Sequence, residues 1–228
     1  GINVPFTEKV DDFRVTTYIR GEYVQSESSL YPEDFDIVTD VILFECASFN
    51  SNGEVICNEP MLSNALANIR KAIGNRDVNI TLNLLGPRGI TDSDVWEEQM
   101  EAQSIEHNKA FTSGVLEDNI IAVLDKYDFD GVHFDYEYPL SSNAWNYYNK
   151  FLVSLDKKLS DYTLGVAGND WNIKFSTAAI AAATAPVPQA GVSPFPRSQT
   201  LILIVCLSII FTNSVLILSG KMEAFSNL

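Results

Sequence analysis

Eleven consecutive residues, Phe129 to Pro139, constrain this chain more than any other stretch: Phe-Asp-Gly-Val-His-Phe-Asp-Tyr-Glu-Tyr-Pro. Side chains alternate faces along a strand, so His133, Asp135 and Glu137 share one face while Phe134, Tyr136 and Tyr138 share the other. Three ionisable groups on a face backed by aromatics need a chemical reason, because burying carboxylates without partners is unfavourable and raises their pKa. Catalysis and metal binding are the usual reasons.

A calcium loop competes for the same residues. Laid over 126–137, such a loop takes Asp128, Asp130, Gly131 and Glu137 at its third, fifth, sixth and twelfth positions, with Val115 to Tyr127 as the entering helix. Against it, Lys126 stands where a carboxylate should ligate, His133 where a small apolar residue packs, and Pro139 where the exiting helix should start. The plainest alternative is a partly exposed strand with a chance alternation of acids and aromatics.

The surrounding periodicity alternates between the two regular structures. Strands are expected at Phe13 to Ile19, Val38 to Glu45, Val78 to Leu85, Gly131 to Glu137 and Thr163 to Ala167. Helices are expected at Met61 to Ile73, Asp94 to Phe111, Val115 to Tyr127 and Asn143 to Leu159. This alternation predicts an α/β fold with a parallel sheet, either doubly wound or a (β/α)8 TIM-barrel type. The barrel is favoured because its functional groups sit at strand C-termini, and Glu137 is followed at once by the chain-breaking Pro139. Only about five β/α units precede a change of composition, against the ~250 residues of a whole barrel, so the barrel is expected to be incomplete.

Asp130-Gly131-Val132-His133-Phe134-Asp135-Tyr136-Glu137-Tyr138-Pro139 resembles the Asp-Gly-x-Asp-x-Asp-x-Glu signature of glycoside hydrolase family 18, the chitinases and endo-β-N-acetylglucosaminidases. The resemblance runs more weakly over residues 13 to about 180. Phe13 to Ile19 and Val38 to Phe44 resemble the first two barrel strands, and Asn83-Leu84-Leu85-Gly86-Pro87 is nearer the endoglycosidase branch. The resemblance implies hydrolysis of β-1,4-linked N-acetylglucosamine polymers in which the substrate's own 2-acetamido oxygen is the nucleophile. Such hydrolysis is an exception to the two-carboxylate rule. It assigns Glu137 the proton donor's role and Asp135 that of holding the acetamido group, and brings Asp130 and His133 into the catalytic set. His133 stands where the family's middle Asp would be. On the same face as Asp135, it is expected to donate a hydrogen bond to that carboxylate. Tyr18, Phe44 and Tyr138 are the expected sugar-binding residues, and no metal or other cofactor is expected. No Met-x-Tyr-Asp strand end follows residue 170, which leaves a non-catalytic sugar-binding relative as the alternative function.

Charge narrows the partners. Thirty acidic against fifteen basic residues leave a net charge of −15, nearly all before residue 176, and such a surface repels phosphate backbones. Nucleic acid is therefore excluded, a neutral polysaccharide is not, and a monomer is expected. Cys46 and Cys57 flank the turn-rich Asn50-Ser51-Asn52-Gly53, which could bring them together as a disulfide. With Gly1 in place of a starting Met, this points to a secreted protein.

The domain reading is a partial barrel over 1–177, an Ala/Pro-rich linker over 178–200, an apolar segment over 201–218 and a tail over 219–228. As a helix the apolar segment would be ~27 Å long, about one bilayer core, so it is expected either to span or anchor to a membrane or to be a non-native continuation of a truncated enzyme.

Overall fold

The computed structural model describes residues 13–137, 139–168, 201–205 and 216–220. Five parallel strands lie in the order β1 (Phe13–Arg20), β2 (Asp40–Phe49), β4 (Asn79–Leu85), β5 (Gly131–Phe134) and β6 (Thr163–Gly168). A short strand β3 (Val55–Cys57) pairs antiparallel with β2 through the expected Asn50–Gly53 turn, where Gly53 adopts φ 81°. Helix α1 (Glu59–Ile73) leads into β4, α2 (Trp96–Phe111) and α3 (Leu116–Tyr127) lie between β4 and β5, and α4 (Ser142–Leu159) joins β5 to β6. Short 3-10 turns, not a helix, connect β1 to β2. This is a curled half-barrel, the incomplete TIM-barrel type that the alternating periodicity predicts.

The sheet has two chemically different faces. Its outer residues, among them Val41, Leu43, Leu82, Leu84, Val132, Phe134, Leu164 and Val166, are buried in one core with Leu62, Leu66 and Ile69 of α1, Leu124 of α3 and Phe151 and Leu155 of α4. The 3.6-residue spacing of those helical positions creates the apolar stripe that covers the strands. Its inner residues are largely polar: Thr16, Asp40, Ile42, Thr81, His133, Thr163 and Gly165 surround one cavity of about 20 Å³. At Gly165 a Cβ would lie 2.8 Å from His133 Cδ2, so the bare glycine makes room for the imidazole on the neighbouring strand.

The half-barrel leaves β1 and β6 as open edges, which offer unpaired backbone groups. Leu201–Val205 (β7) pairs parallel with β6, and Leu216–Gly220 (β8) pairs antiparallel with β1. The apolar stretch expected as one helix over 201–218 is therefore described only at its two ends, and both ends are strands. Ile and Val in these ends favour the extended form once a partner edge exists. The rest of that stretch, the linker at 178–200 and most of the tail lie outside the described residues. Among the described residues no helix is long and apolar enough to cross a membrane. Cys46 and Cys57 are free thiols, not a disulfide. The backbone pairs Ala47 with Cys57, and Cys46 O accepts from Asn58 N–H, which puts the two cysteines out of register with one another.

Residues 126–137 do not form a calcium loop. Tyr127 ends α3, Asp128 turns the chain at φ 56°, and Gly131–Phe134 are a central strand between β4 and β6. Main-chain ladder bonds occupy the groups a calcium loop would turn inward.

Candidate active site

Strand β5 ends at Phe134, three residues sooner than the alternation predicts, and Asp135 and Glu137 lie just past its C-terminal end. That is the end of a parallel barrel where functional groups collect. The alternation itself persists: Asp135 and Glu137 are half-buried, and Tyr136 between them is 3% exposed. The two carboxyl groups hydrogen-bond to one another, which requires a proton on one of them. Burial, then the hydrogen bond and the charge of Asp135, push Glu137 up to about 7. Asp135 is raised as well, by burial, with the bond to Glu137 offsetting part of that rise. Both carboxyls are thus raised, Glu137 the more strongly, and the pair shares a proton.

His133 does not serve Asp135. It is fully buried one layer deeper, in register with Asn83 on β4 and Gly165 on β6. Its Nδ1 lies 2.7 Å from Asn83 Oδ1 and its Nε2 lies 3.1 Å from the Tyr18 hydroxyl. Burial lowers its pKa to about 3, so the ring is neutral. A neutral ring has one donor nitrogen, so Nδ1–H donates to Asn83 and Nε2 accepts from Tyr18. Asn83 takes the place expected for Asp135 because the cross-strand neighbour at the same register is closer than the residue two places along the strand, and Tyr18 reaches the other nitrogen from β1 on the inner face of the half-barrel.

The structure brings Tyr18 into the site. Its ring meets His133 edge-on at 5.5 Å and Phe44 edge-on at 6.5 Å. Phe44 thus packs on Tyr18 beside the site, and Tyr138 lies outside the described residues. Asp130 lies at the N-terminal end of β5, away from Asp135 and Glu137. Its carboxylate accepts from Ile80 N–H at 2.7 Å, its own N–H donates to Ile80 O, and its carbonyl accepts from Thr163 N–H, so it latches the start of β5 between its neighbours.

Asn83, Ser104 and His107 are buried polar residues beside the acids that the sequence pattern did not assign to the site. Asn83 has the inward parity of β4, a signal that becomes readable once the sheet register is known. Ser104 and His107 lie on α2 and reach the site through Tyr136, which no local pattern encodes. Among the described residues no group of three or more His, Cys, Asp or Glu side chains can hold a metal ion.

No family model and no curated protein matches the sequence. Solved structures do match in fold. A mutant GH18 chitinase from Cycas revoluta in complex with (GlcNAc)4 aligns with a TM-score of 0.51 at 17% identity, covering 72% of this chain and 52% of that one. A class V chitinase from Nicotiana tobaccum aligns with a TM-score of 0.50 at 14% identity, covering 69% and 44%. A mutant of the tobacco enzyme in complex with NAG4 gives 0.50 at 13% over the same shares. The chain spans about half the length of the structures it matches. Over about 70% of its residues, this chain has the fold of the GH18 chitinases, in the form of a (β/α) half-barrel.

Proposed function

We propose that the chain is a relative of glycoside hydrolase family 18 and cleaves β-1,4-linked N-acetylglucosamine polymers by substrate-assisted, retaining hydrolysis. The observation that carries this reading is the hydrogen-bonded pair of Asp135 and Glu137 at the barrel mouth, with Glu137 raised to about 7. A general acid works best when its pKa lies near the working pH, and Glu137 is so poised. In the first step the substrate's acetamido oxygen forms a bond to the anomeric carbon as the glycosidic bond breaks, and Glu137 delivers its proton to the departing oxygen. Charged Asp135 accepts the acetamido N–H and stabilises the positive ring that forms. In the second step Glu137, now a carboxylate, takes a proton from water, whose oxygen opens that ring with retention. Complexes of two fold relatives with (GlcNAc)4 or NAG4 support the choice of sugar.

A non-catalytic sugar-binding role is the second reading. It is favoured by His133, which replaces an acid of the signature and has both ring nitrogens committed to Asn83 and Tyr18, so it cannot pass a proton to Asp135. Incubation of the full chain with chitotetraose, followed by mass spectrometry of the products, separates the two. Hydrolysis that is lost in Glu137→Gln supports the enzyme; binding without cleavage, equal in wild type and Glu137→Gln, supports the binder. Secretion fits a polysaccharide substrate and is proposed with it.

A further inference from the structure

Helix α2 buries an unusual set of side chains: Ser104, Glu106, His107 and Ala110. A covering helix normally buries leucines and valines, and polar groups go inside only where they have partners. Glu106 has Ser51 and Lys109, each at 2.6 Å. Ser104 and His107 both meet Tyr136, the residue between the two acids. The Tyr136 hydroxyl donates to Ser104 Oγ at 2.9 Å, and its ring lies flat on His107, with centroids 4.1 Å apart and planes 6° from parallel. The imidazole is itself fixed from two sides. Its Nδ1 is 2.8 Å from the carbonyl of Gln103, and its Nε2 lies against Gly86, where a Cβ would come within 1.7 Å of it. Gly86 directly follows β4, so the bare backbone there lets α2 approach the mouth of the half-barrel.

We propose that Ser104 and His107 are positioning residues for the acid pair: by holding Tyr136 with one hydrogen bond and one ring stack, α2 fixes the backbone from which Asp135 and Glu137 project and keeps their carboxyl groups together. The proposal rests on the acid-pair reading above and adds the element that sets its geometry. A two-residue separation alone does not bring two carboxyls into hydrogen-bond contact, since like charges repel and both side chains are free to turn toward water. Anchoring the intervening residue removes that freedom. The other ionisable groups around Tyr136 are Glu101 on α2 and Tyr148 on α4, whose ring meets Tyr136 edge-on at 5.1 Å.

The test is the titration of Glu137 in the full chain, followed by carboxyl carbon NMR on selectively labelled protein. Ser104→Ala and Tyr136→Phe each remove one partner of the same hydrogen bond, and both should lower the Glu137 midpoint by about half a pH unit or more as the pair loosens. His107→Leu removes the stack and should lower it by about one unit or more, whereas His107→Phe keeps a flat ring and should stay near wild type. A merely structural role would reduce stability and leave the midpoint of the folded protein where it was. Unchanged midpoints in folded Ser104→Ala and Tyr136→Phe, with wild type near 7, overturn the proposal and leave the acid pair intact. A wild-type midpoint near the ordinary glutamate value removes the pair itself, and the proposal with it. If His107→Leu does not fold, Ser104→Ala, which deletes only a hydroxyl, decides.

Discussion

Across the β4–β5 pair, His133 Nδ1 sits 2.7 Å from Asn83 Oδ1, which makes a neutral imidazole the floor beneath the two acids. The consequence is a chain of three side chains, Asn83, His133 and Tyr18, in which each hydrogen has one direction. His133→Leu would strip Asn83 Oδ1 and the Tyr18 hydroxyl of this partner. Leaving the buried Asn83 Oδ1 unsatisfied costs about 1–3 kcal/mol, and a loss of about that size is expected in urea unfolding. His133→Asp should be milder, because Asn83 Nδ2, buried without a partner, can turn to donate to the new carboxylate. It should also raise turnover of a chito-oligosaccharide. Equal stability of wild type and His133→Leu would contradict this description of the floor.

Gly165 and His133 compete for one space. A methyl group at 165 would press on Cδ2 of the imidazole from 2.8 Å, and the ring is held by bonds at both nitrogens. Gly165→Ala is expected to destabilise by about 1–3 kcal/mol, the usual range for overpacking. The same substitution in a His133→Ala background should be nearly silent, giving a coupling of about 1 kcal/mol or more in a double-mutant cycle. Additive effects would mean that the two residues do not share the space.

Acid should act on the fold through its two histidines. Burial holds His133 at about 3 and His107 at about 4, both below the ordinary value of 6.5. Both are neutral when folded and take up a proton on unfolding once the pH is below about 6.5, so the stability they contribute is present above that pH and is lost as pH falls toward 4 and 3. Raised carboxyls act in the opposite sense: a folded state that holds its proton more tightly gains stability as pH falls from about 7 to 4.5. With Asp135→Asn and Glu137→Gln the opposing contribution of that pair is gone. Unfolding should then take up close to two protons near pH 5, a slope of about 2.7 kcal/mol per pH unit. A flat profile in that variant between pH 6 and pH 4.5 would show the imidazoles to be solvated.

Much of this architecture is legible in the sequence. The five parallel strands and all four helices fall within two residues of where periodicity puts them at nearly every boundary, because each strand is bounded by polar or Gly/Pro residues and each helix carries an apolar stripe. The alternation of Asp135, Tyr136 and Glu137 was equally legible. The partners of His133 were not. Sequence adjacency suggested Asp135, whereas register between β4 and β5 selects Asn83, and the curl of the sheet brings in Tyr18 from β1, residues 50 and 115 positions away. The place of Asp130 was hidden for a related reason: it belongs to the signature, but the length of β5 separates it from Glu137. Ser104 and His107 were hidden because α2 lacks a strong apolar stripe, and the contacts that explain its buried face lie in another element. The strands at 201–205 and 216–220 are set by open sheet edges, a tertiary condition that hydropathy cannot express.

The account as a whole depends on Glu137 carrying a proton near neutrality. Carboxyl carbon NMR of the full chain, titrated from pH 3 to pH 9, measures that directly. The expected result is a Glu137 midpoint of about 7, falling toward the ordinary glutamate value in Asp135→Asn. A midpoint of about 4.5 in the wild type, unmoved by Asp135→Asn, would contradict it.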